Sequence, residues 1–227
     1  MFTGYPVRRE ILAADRKAAA AALDLDPERP TLLIAGGSRG ARTINEAVKS
    51  GLAALLARLP HLQVVASTGG AYFADVQAAL ADQGLVGAAG DDAKAVGRQV
   101  RLFGYIHAMH HAYAAADLVF CRAGGSIHEL AARGLPGVLV PSPNVAYDQQ
   151  TENARVLAEA GAALVLPDNA LDDQTLAQVV APLLTEPGRL REMAGRAAAL
   201  GRPAAGRDLA ARLLALGGFP LNAPADG

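Results

Sequence analysis

Residues 31–48 read TLLIAGGSRGARTINEAV, and this stretch decides the fold class. The run Thr31–Ala35 is short, apolar and without alternation, which is typical of a strand buried on both faces of a parallel sheet. The glycine-rich turn Gly36–Gly40 follows directly, and apolar residues then recur at helical spacing up to residue 59. A strand that passes through a glycine turn into a helix is the repeating unit of α/β domains.

Five further runs have the same character as this first strand. Alanine-rich stretches of helical periodicity separate them, which predicts a parallel sheet with helices on both faces. Right-handed crossovers make this a doubly wound, Rossmann-like α/β domain. The stretch 84–97 is small, polar and irregular, and we predict a loop there. The further strands are predicted at 62–66, 100–103, 118–121, 138–140 and 163–166, and the helices at 7–23, 41–59, 72–82, 109–115, 127–133, 149–160, 171–184, 188–200 and 205–216.

The chain divides into three predicted parts. Residues 1–30 precede the first strand and are interpreted as a linker that leads into the domain. Residues 31–216 are predicted to form the Rossmann-like domain. For residues 217–227 we expect a flexible tail.

The overall composition narrows the class of protein. Hydrophobic residues make up 52% of the chain, enough for a sizeable core. The net charge of -1 argues against nucleic acid as a partner, because nucleic-acid binders show a basic excess. The single cysteine, Cys121, excludes an internal disulfide and fits a reducing compartment. With no apolar run of about 18 residues and no apolar leader, we expect a soluble, cytoplasmic protein.

The turn Gly36–Gly40 lies at the carboxyl edge of the predicted sheet, where ligands bind in such folds. Its glycines allow close approach of a ligand, the following helix start favours an anion, and Ser38 adds a hydroxyl donor. Arg39 and Arg42 can add positive charge. A plain tight turn is the alternative. The glycine spacing matches neither GxGxxG nor a P-loop, so neither a dinucleotide nor a P-loop site is indicated.

A second glycine loop follows the strand at 118–121 and reads Arg122-Ala-Gly124-Gly125-Ser126-Ile-His-Glu129. It is again a helix start at the carboxyl edge of the sheet, and a carboxylate at Glu129 can accept both hydroxyls of a ribose. The alternative is a glutamate that only complements the helix dipole. Two glycine loops on strands of one sheet favour a shared anion site.

A third polar loop follows the strand at 138–140 and ends in Asp148-Gln149-Gln150. Two adjacent amides just inside a helix start can exchange hydrogen bonds with sugar hydroxyls. The simpler interpretation is a helix with Asp148 as its N-cap. Both interpretations can hold together, because a capping Asp148 leaves the two glutamine side chains free.

Other polar residues are set aside as metal or catalytic candidates. Asp24-Leu25-Asp26 has a DxD pattern that can bind a divalent metal, but it precedes the first strand in a proline-rich turn. His107, His110 and His111 cluster, and a solvated helix face is favoured over a divalent site. Cys121 ends a buried strand and is interpreted as a packed small hydrophobe. We therefore expect no metal and no cofactor.

Four segments together resemble one family of enzymes. They are TGYPVRREIL at 3–12, LLIAGGSRGARTINEAV at 32–48, the run at 103–143 around the second glycine loop, and DQQTENARVLAEAGAALVLP at 148–167. They resemble the bacterial MurG family, the N-acetylglucosaminyltransferases that convert lipid I to lipid II in peptidoglycan synthesis. The resemblance implies the C-terminal half of a GT-B fold, a UDP-N-acetylglucosamine donor without a metal, inversion at the sugar, and a peripheral position on the cytoplasmic face of the inner membrane.

The same resemblance implies roles for individual residues. Ser38, beside Gly37, would touch the diphosphate, and Ser126 with Gly124 and Gly125 would approach it from the second loop. The two adjacent glutamines would contact the N-acetylglucosamine hydroxyls.

The nucleoside end of the donor would meet a further group of residues. Glu129 would hold the ribose hydroxyls, the backbone of Ile106 would read the uracil edge with Tyr105 beside it, and Arg8 would sit near the nucleotide. The residue that acts as general base is not identified.

The resemblance also implies that lipid I reaches this chain only through an N-terminal domain that it lacks. We therefore expect donor binding, with weak or absent transfer by the chain alone. A second hypothesis is a non-catalytic donor subunit that pairs with a separate acceptor chain. A UDP-sugar epimerase needs catalytic carboxylates and histidines across two domains, and a nicotinamide-cofactor domain needs GxGxxG, so both are disfavoured.

Overall fold

The computed structural model describes residues 3–90 and 93–218. Seven strands form one sheet in the order β3-β4-β2-β1-β5-β6-β7. All neighbouring pairs are parallel except β3 with β4. The predicted doubly wound α/β fold is therefore confirmed. The strands are β1 Thr31–Ala35, β2 Gln63–Ser67, β3 Lys94–Val96, β4 Val100–Phe103, β5 Leu118–Cys121, β6 Gly137–Leu139 and β7 Ala163–Val165.

Ten α-helices lie among the described residues, and they cover both faces of the sheet. Alternate strand residues supply two separate cores: Leu32 and Ile34 of β1 face one, and Leu33 faces the other. The helices are α1 Arg9–Ala13, α2 Arg16–Ala22, α3 Arg42–Arg58, α4 Phe73–Asp82, α5 Met109–Ala115, α6 Ser126–Arg133, α7 Gln149–Glu159, α8 Ala181–Thr185, α9 Pro187–Leu200 and α10 Ala205–Leu216.

The first of the two cores lies under α3, α4 and α8, and the second under α1, α2, α5, α6 and α7. Helix α3 shows why these segments are helical and where they pack. Its apolar residues recur every three or four positions, so that one stripe is buried against the sheet. The stripe consists of Ile44, Val48, Leu52, Leu55 and Leu56.

The prediction of an irregular loop over 84–97 is wrong at its end. Lys94–Val96 pairs antiparallel with β4 as the edge strand of the sheet. Three residues, of which Ala95 alone is buried, are too few to show an alternating pattern in the sequence. The predicted helix at 171–184 is also shorter, since it consists of a π-helical turn at Leu176–Val180 followed by α8.

The stretch predicted as one helix at 7–23 forms two helices, α1 and α2, which pack against α5. Asp15 separates them and caps α2, because its carboxylate accepts hydrogen bonds from the backbone N–H groups of Lys17 and Ala18. Ile11 and Ala19 are fully buried in the second core. The predicted tail falls on residues 217–227, of which 219–227 lie outside the described residues.

Candidate functional site

The carboxyl ends of β1, β2, β4, β5, β6 and β7 lie at one edge of the sheet, because these strands are mutually parallel. The two glycine loops follow β1 and β5, which are neighbours in register, with Ala35 beside Cys121. Gly37 and Glu129 therefore lie beyond adjacent strand ends and not at opposite ends of the sheet. Ligands bind at this edge in doubly wound folds.

The first glycine loop is a tight turn against the sheet. The Gly40 N–H donates to the Gly37 carbonyl at 2.9 Å, and both glycines have positive φ, +88° at Gly37 and +77° at Gly40. A Cβ on Gly36 would come within 2.5 Å of the Ala41 nitrogen, whereas one on Gly37 would meet nothing within 4 Å. The loop is therefore packed on its inner side and open at Gly37, directly before the start of α3.

The second glycine loop leads into α6, whose N-terminus also has no side-chain cap. Tyr5 covers the outer side of this loop: a Cβ on Gly125 would lie 3.4 Å from the Tyr5 hydroxyl oxygen. The Tyr5 ring stacks on His128 with the ring centres 4.6 Å apart, and burial lowers the pKa of His128. The chain before α1 thus supports the loop from outside.

A cavity of about 700 Å³ lies between the two glycine loops, and we call it the glycine-loop cavity. This volume falls within the ordinary range for small-molecule sites. The uncapped starts of α3 and α6 both contribute to its wall, so two positive helix ends face the same space. The predicted site residues on the wall are Gly37, Ser38, Gly124, Gly125, Ser126 and Gln150.

The positive charge on this wall comes from Arg39 and Arg42. Both line the cavity and are exposed, and neither forms an ion pair within the described part of the chain. Unpaired guanidinium groups beside two helix starts make an anion-binding surface. The expectation that these arginines add charge to the first loop agrees with their position.

A third arginine on the wall, Arg122, has a different role that the sequence reasoning missed. It pairs with the Asp168 carboxylate, donates to the Thr43 hydroxyl at 3.0 Å, and donates to the carbonyls of Val140 and Pro141. The Thr43 hydroxyl donates to Asp168 at 2.5 Å. This network joins the ends of β5, β6 and β7 to the first turn of α3. Its one sequence signal is that Arg122 and Asp168 each follow shortly after a strand.

The two glutamines predicted as sugar ligands differ in position. Gln150 lines the cavity, whereas Gln149 is exposed and does not. The Gln150 Oε1 accepts the Ser142 N–H at 2.9 Å, and its Nε2 lies 4.0 Å from the position of a Cβ on Gly124. The amide nitrogen of Gln150 is thus the part of the side chain near the second glycine loop.

The prediction that the Asp148 side chain caps α7 is wrong. Asp148 precedes the helix, but no backbone N–H of the first turn donates to its carboxylate, which instead accepts the Thr151 hydroxyl at 2.6 Å. Tyr147 and Asp148 both adopt left-handed backbone, at φ of 57° and 50°. That backbone turns the chain sharply before α7 and places Asp148 away from capping geometry.

The remaining predicted site residues lie outside the wall of the cavity. Tyr105 and Ile106 follow β4 at the same sheet edge, with Tyr105 half exposed and Ile106 buried. Arg8 and Glu129 form an ion pair with 3.5 Å between Nε and Oε1. The residues predicted at the two glycine loops therefore line the cavity, whereas the residues predicted to contact the nucleoside do not.

Two buried titratable groups, Tyr113 and Cys121, also line the cavity. Burial is the first cause that raises the pKa of the Tyr113 phenol, followed by the negative charge of the neighbouring Glu129. Burial alone raises the pKa of the Cys121 thiol to about 12. Both groups are therefore protonated at neutral pH, which agrees with Cys121 as a packed small side chain.

The described residues contain neither a cluster of metal-ligand side chains nor a helix that could span a membrane. Nowhere in residues 3–90 and 93–218 do three His, Cys, Asp or Glu side chains come together as metal ligands. Within the same residues, every helix is too short or too polar to cross a bilayer.

The sequence matches one protein family over most of its length. The glycosyltransferase family 28 C-terminal domain matches residues 31–209. An Acidothermus cellulolyticus protein is 44% identical over 212 residues, which are 91% of this chain and 54% of that protein. A Roseiflexus sp. protein is 40% identical over 228 residues, 92% of this chain and 49% of that protein. Both are named UDP-N-acetylglucosamine--N-acetylmuramyl-(pentapeptide) pyrophosphoryl-undecaprenol N-acetylglucosamine transferase. The chain spans about half the length of the curated relatives it matches.

Solved structures agree with the fold. MurG of Acinetobacter baumannii superposes with a TM-score of 0.66 at 29% identity, over 83% of this chain and 52% of that chain. This likeness confirms the predicted half of a GT-B fold. The C-terminal CMP-Kdo binding domain of WaaA from Acinetobacter baumannii (TM-score 0.61, 18% identity, 84% of this chain and 97% of that chain) shows the shared fold alone. The chain therefore belongs to glycosyltransferase family 28, of which it carries the C-terminal domain.

Proposed function

We propose that this chain binds UDP-N-acetylglucosamine in the glycine-loop cavity. In this proposal it supplies the donor half of the transferase that converts lipid I to lipid II. The observation that carries the proposal is the convergence of two uncapped helix starts and two unpaired arginines on one cavity. Such a wall favours a compact, highly charged anion, and the diphosphate of a nucleotide sugar is one. Family membership supports the nucleotide sugar over other diphosphates.

The diphosphate lies between the two glycine loops in this proposal. Gly37, Gly124 and Gly125 let the backbone approach its oxygens, and the hydroxyls of Ser38 and Ser126 donate to them. All five residues lie on the cavity wall. Arg39 and Arg42 at the first loop add charge-assisted contacts.

The nucleoside and the sugar extend from the diphosphate in opposite directions. Glu129 accepts the ribose hydroxyls, with Arg8 near the nucleotide, and the Ile106 backbone reads the uracil edge beside Tyr105. The Nε2 of Gln150 donates to the N-acetylglucosamine, because its Oε1 is already bound by Ser142.

The proposal also assigns a place to Gln149 and sets the limits of the donor domain. Gln149 is exposed, and in this proposal it approaches the sugar only with the donor in place. The donor domain comprises residues 31–216, residues 1–30 serve as its linker, and the last residues form the tail.

The proposed reaction is a substitution at the sugar in which UDP is the leaving group. A hydroxyl of the acceptor attacks the anomeric carbon of N-acetylglucosamine with inversion, the bond to the β-phosphate oxygen breaks, and UDP departs. The diphosphate gains negative charge as that bond breaks, and the helix starts with Arg39 and Arg42 stabilise it without a metal. The attacking hydroxyl gives its proton to a general base that comes from the acceptor half or from the cleft between the two halves.

We assign the acceptor site to the half of the relatives that this chain does not match. Their single chains are about twice as long as this one, so they give no support for a separate acceptor chain. We propose that lipid I is presented by a domain equivalent to that other half, at the cytoplasmic face of the membrane. This chain by itself then binds the donor and transfers weakly or not at all.

Calorimetric titration of the purified chain with UDP, UMP and UDP-N-acetylglucosamine tests the proposal. UDP is expected to bind, to bind more tightly than UMP, and to be unaffected by EDTA. Ser38→Ala should weaken UDP binding about tenfold, because a hydrogen bond to a charged group contributes about 1.5–3 kcal/mol. Ser50→Ala is the matched control, since Ser50 is an exposed serine of α3 whose hydroxyl donates to the Glu46 carbonyl. Absence of UDP binding to the wild-type chain would overturn the proposal.

A further inference from the structure

The chain before α1 contacts the second glycine loop through the side chain of Tyr5. The Tyr5 ring stacks almost parallel on the ring of His128 in α6, with the ring centres 4.6 Å apart and an angle of 9° between the ring planes. The other end of the tyrosine lies against Gly125, where a Cβ would be 3.4 Å from the hydroxyl oxygen and 3.7 Å from Cζ. Tyr5 therefore touches both the second glycine of the loop and the helix that follows it.

The neighbours of Tyr5 hold its backbone in place on both sides. A Cβ on Gly4 would come within 2.8 Å of the Arg202 Cβ, so the chain before Tyr5 lies directly against the residue region that leads into α10. After Tyr5, Pro6 restricts the backbone, and the Val7 side chain packs against the second core. The ring is thus presented to the loop by an anchored segment.

The position of Tyr5 shows that it can act on the glycine-loop cavity only through the loop. Its side chain is not on the cavity wall, whereas Gly125 and Ser126 are. Tyr5 is also 52% exposed, so that it buries little apolar surface and adds little to the stability of the whole fold. Its contacts are made with the loop and the first turn of α6, and any role in binding is indirect.

The second glycine loop needs support from outside because glycines are costly to hold in one conformation. On the cavity side the loop is open: the nearest atom to a Cβ on Gly124 would be the Gln150 Nε2, at 4.0 Å. The residue before the glycines is fixed by Asn153, whose Nδ2 donates to the Ala123 carbonyl at 3.0 Å. Tyr5 supplies the corresponding contact after the glycines, at Gly125.

We propose that Tyr5 is a positioning residue, whose ring, stacked on His128, holds Gly125 and Ser126 in the arrangement that binds the donor diphosphate. This inference rests on the proposed function, in which the second glycine loop is a diphosphate ligand. A loop that is already ordered loses less conformational freedom when the ligand binds, so the stack increases affinity without touching the ligand. Part of the segment interpreted as a linker, residues 1–30, then belongs to the donor site.

The first test measures UDP binding by calorimetry for the wild-type chain, Tyr5→Ala, Tyr5→Phe and Tyr147→Ala. Tyr5→Ala removes the stack and should weaken UDP binding about fivefold, which is the effect expected of one aromatic pair. Tyr5→Phe keeps the ring and should bind UDP within about twofold of the wild-type chain. Tyr147→Ala is the matched control, because that ring is fully exposed, and it should change UDP binding less than about twofold.

The second test removes the stack from its other side. His128→Ala should weaken UDP binding by about the same factor as Tyr5→Ala, and the double variant should lose no more than about twofold beyond either single variant, because both changes remove one contact. Urea unfolding of each variant checks that it is folded and that its loss of stability is small.

Three outcomes would overturn the role of Tyr5. They are unchanged UDP binding in Tyr5→Ala, an equal loss in Tyr5→Phe and Tyr5→Ala, and losses that multiply in the double variant with His128→Ala. The last result would mean that the two residues act independently. Absence of UDP binding by the wild-type chain would instead overturn the proposed function.

Discussion

The side-chain amide of Asn45 donates a 2.9 Å hydrogen bond to the backbone carbonyl of Thr68. Asn45 is buried in α3, and Thr68 is the residue after β2, so this bond ties the helix behind the first glycine loop to the neighbouring strand end. Gly40 packs against the same carbonyl, and a Cβ there would overlap it. The Thr68 carbonyl thus accepts a hydrogen bond from the helix and packs against the loop, and both elements face the cavity.

Loss of the Asn45 amide should destabilise the fold. Asn45→Ala leaves the Thr68 carbonyl without this buried donor, which costs about 1–3 kcal/mol in the free energy of unfolding. Urea unfolding at pH 7 measures the change. Gln77→Ala is the matched control, because its amide donates to the Gly87 carbonyl at an exposed position. Equal losses in the two variants would contradict the special role of the buried bond.

The two positive-φ glycines of the first loop should respond differently to alanine. Gly40→Ala combines a left-handed backbone with overlap on Thr68, and we expect a loss of about 2–5 kcal/mol in unfolding free energy. Gly37→Ala has the backbone strain alone, about 1–2 kcal/mol, because nothing lies within 4 Å of its Cβ. Its methyl group would project into the open space where the diphosphate is proposed to lie. We therefore expect Gly37→Ala to cost more free energy in UDP binding than in unfolding. A Gly37→Ala variant as unstable as Gly40→Ala would refute this difference.

The network around Arg122 should depend on its carboxylate. Asp168→Ala leaves a mostly buried guanidinium without its counter-charge, and we expect a loss of about 3 kcal/mol in unfolding free energy. Glu159→Ala is the control, since it removes an exposed partner of Arg155 and should cost about 0.5 kcal/mol or less. Unfolding with guanidinium chloride measures the free energy of unfolding of both variants. Similar small losses would show that the network is not a structural tie.

The buried thiol makes stability sensitive to alkaline pH. Cys121 has an ordinary pKa of 9.0 that burial raises to about 12. The stability that a folded, protonated thiol contributes is complete below pH 9 and is lost as pH rises from there through 12, because only the unfolded chain forms the thiolate early. The free energy of unfolding should therefore fall between pH 9 and about pH 12, and fall less in Cys121→Ala. A native thiol that reacts rapidly with a thiol reagent at pH 8 would contradict its burial.

Local patterns predicted the elements near the site with good accuracy. Thr31–Ala35, Val100–Phe103 and Leu118–Cys121 are strands with the predicted limits, because apolar runs of four or five residues between breakers have few other stable conformations. The two glycine loops were placed at one edge by topology alone, since parallel strands end on the same side. The edge strand Lys94–Val96 left no such pattern.

Sequence patterns alone were thus enough to predict the α/β class, the six parallel strands, the two glycine loops and the family. Which distant side chains meet follows from the folded chain: Thr43 bonds to Asp168, 125 positions away, and Gln150 rather than Gln149 lies on the cavity wall. The difference comes from the sequence separation over which each kind of interaction acts. Hydrophobic periodicity and turn chemistry act over a few residues, whereas the pairing of polar groups across loops depends on how the whole sheet brings distant strand ends together.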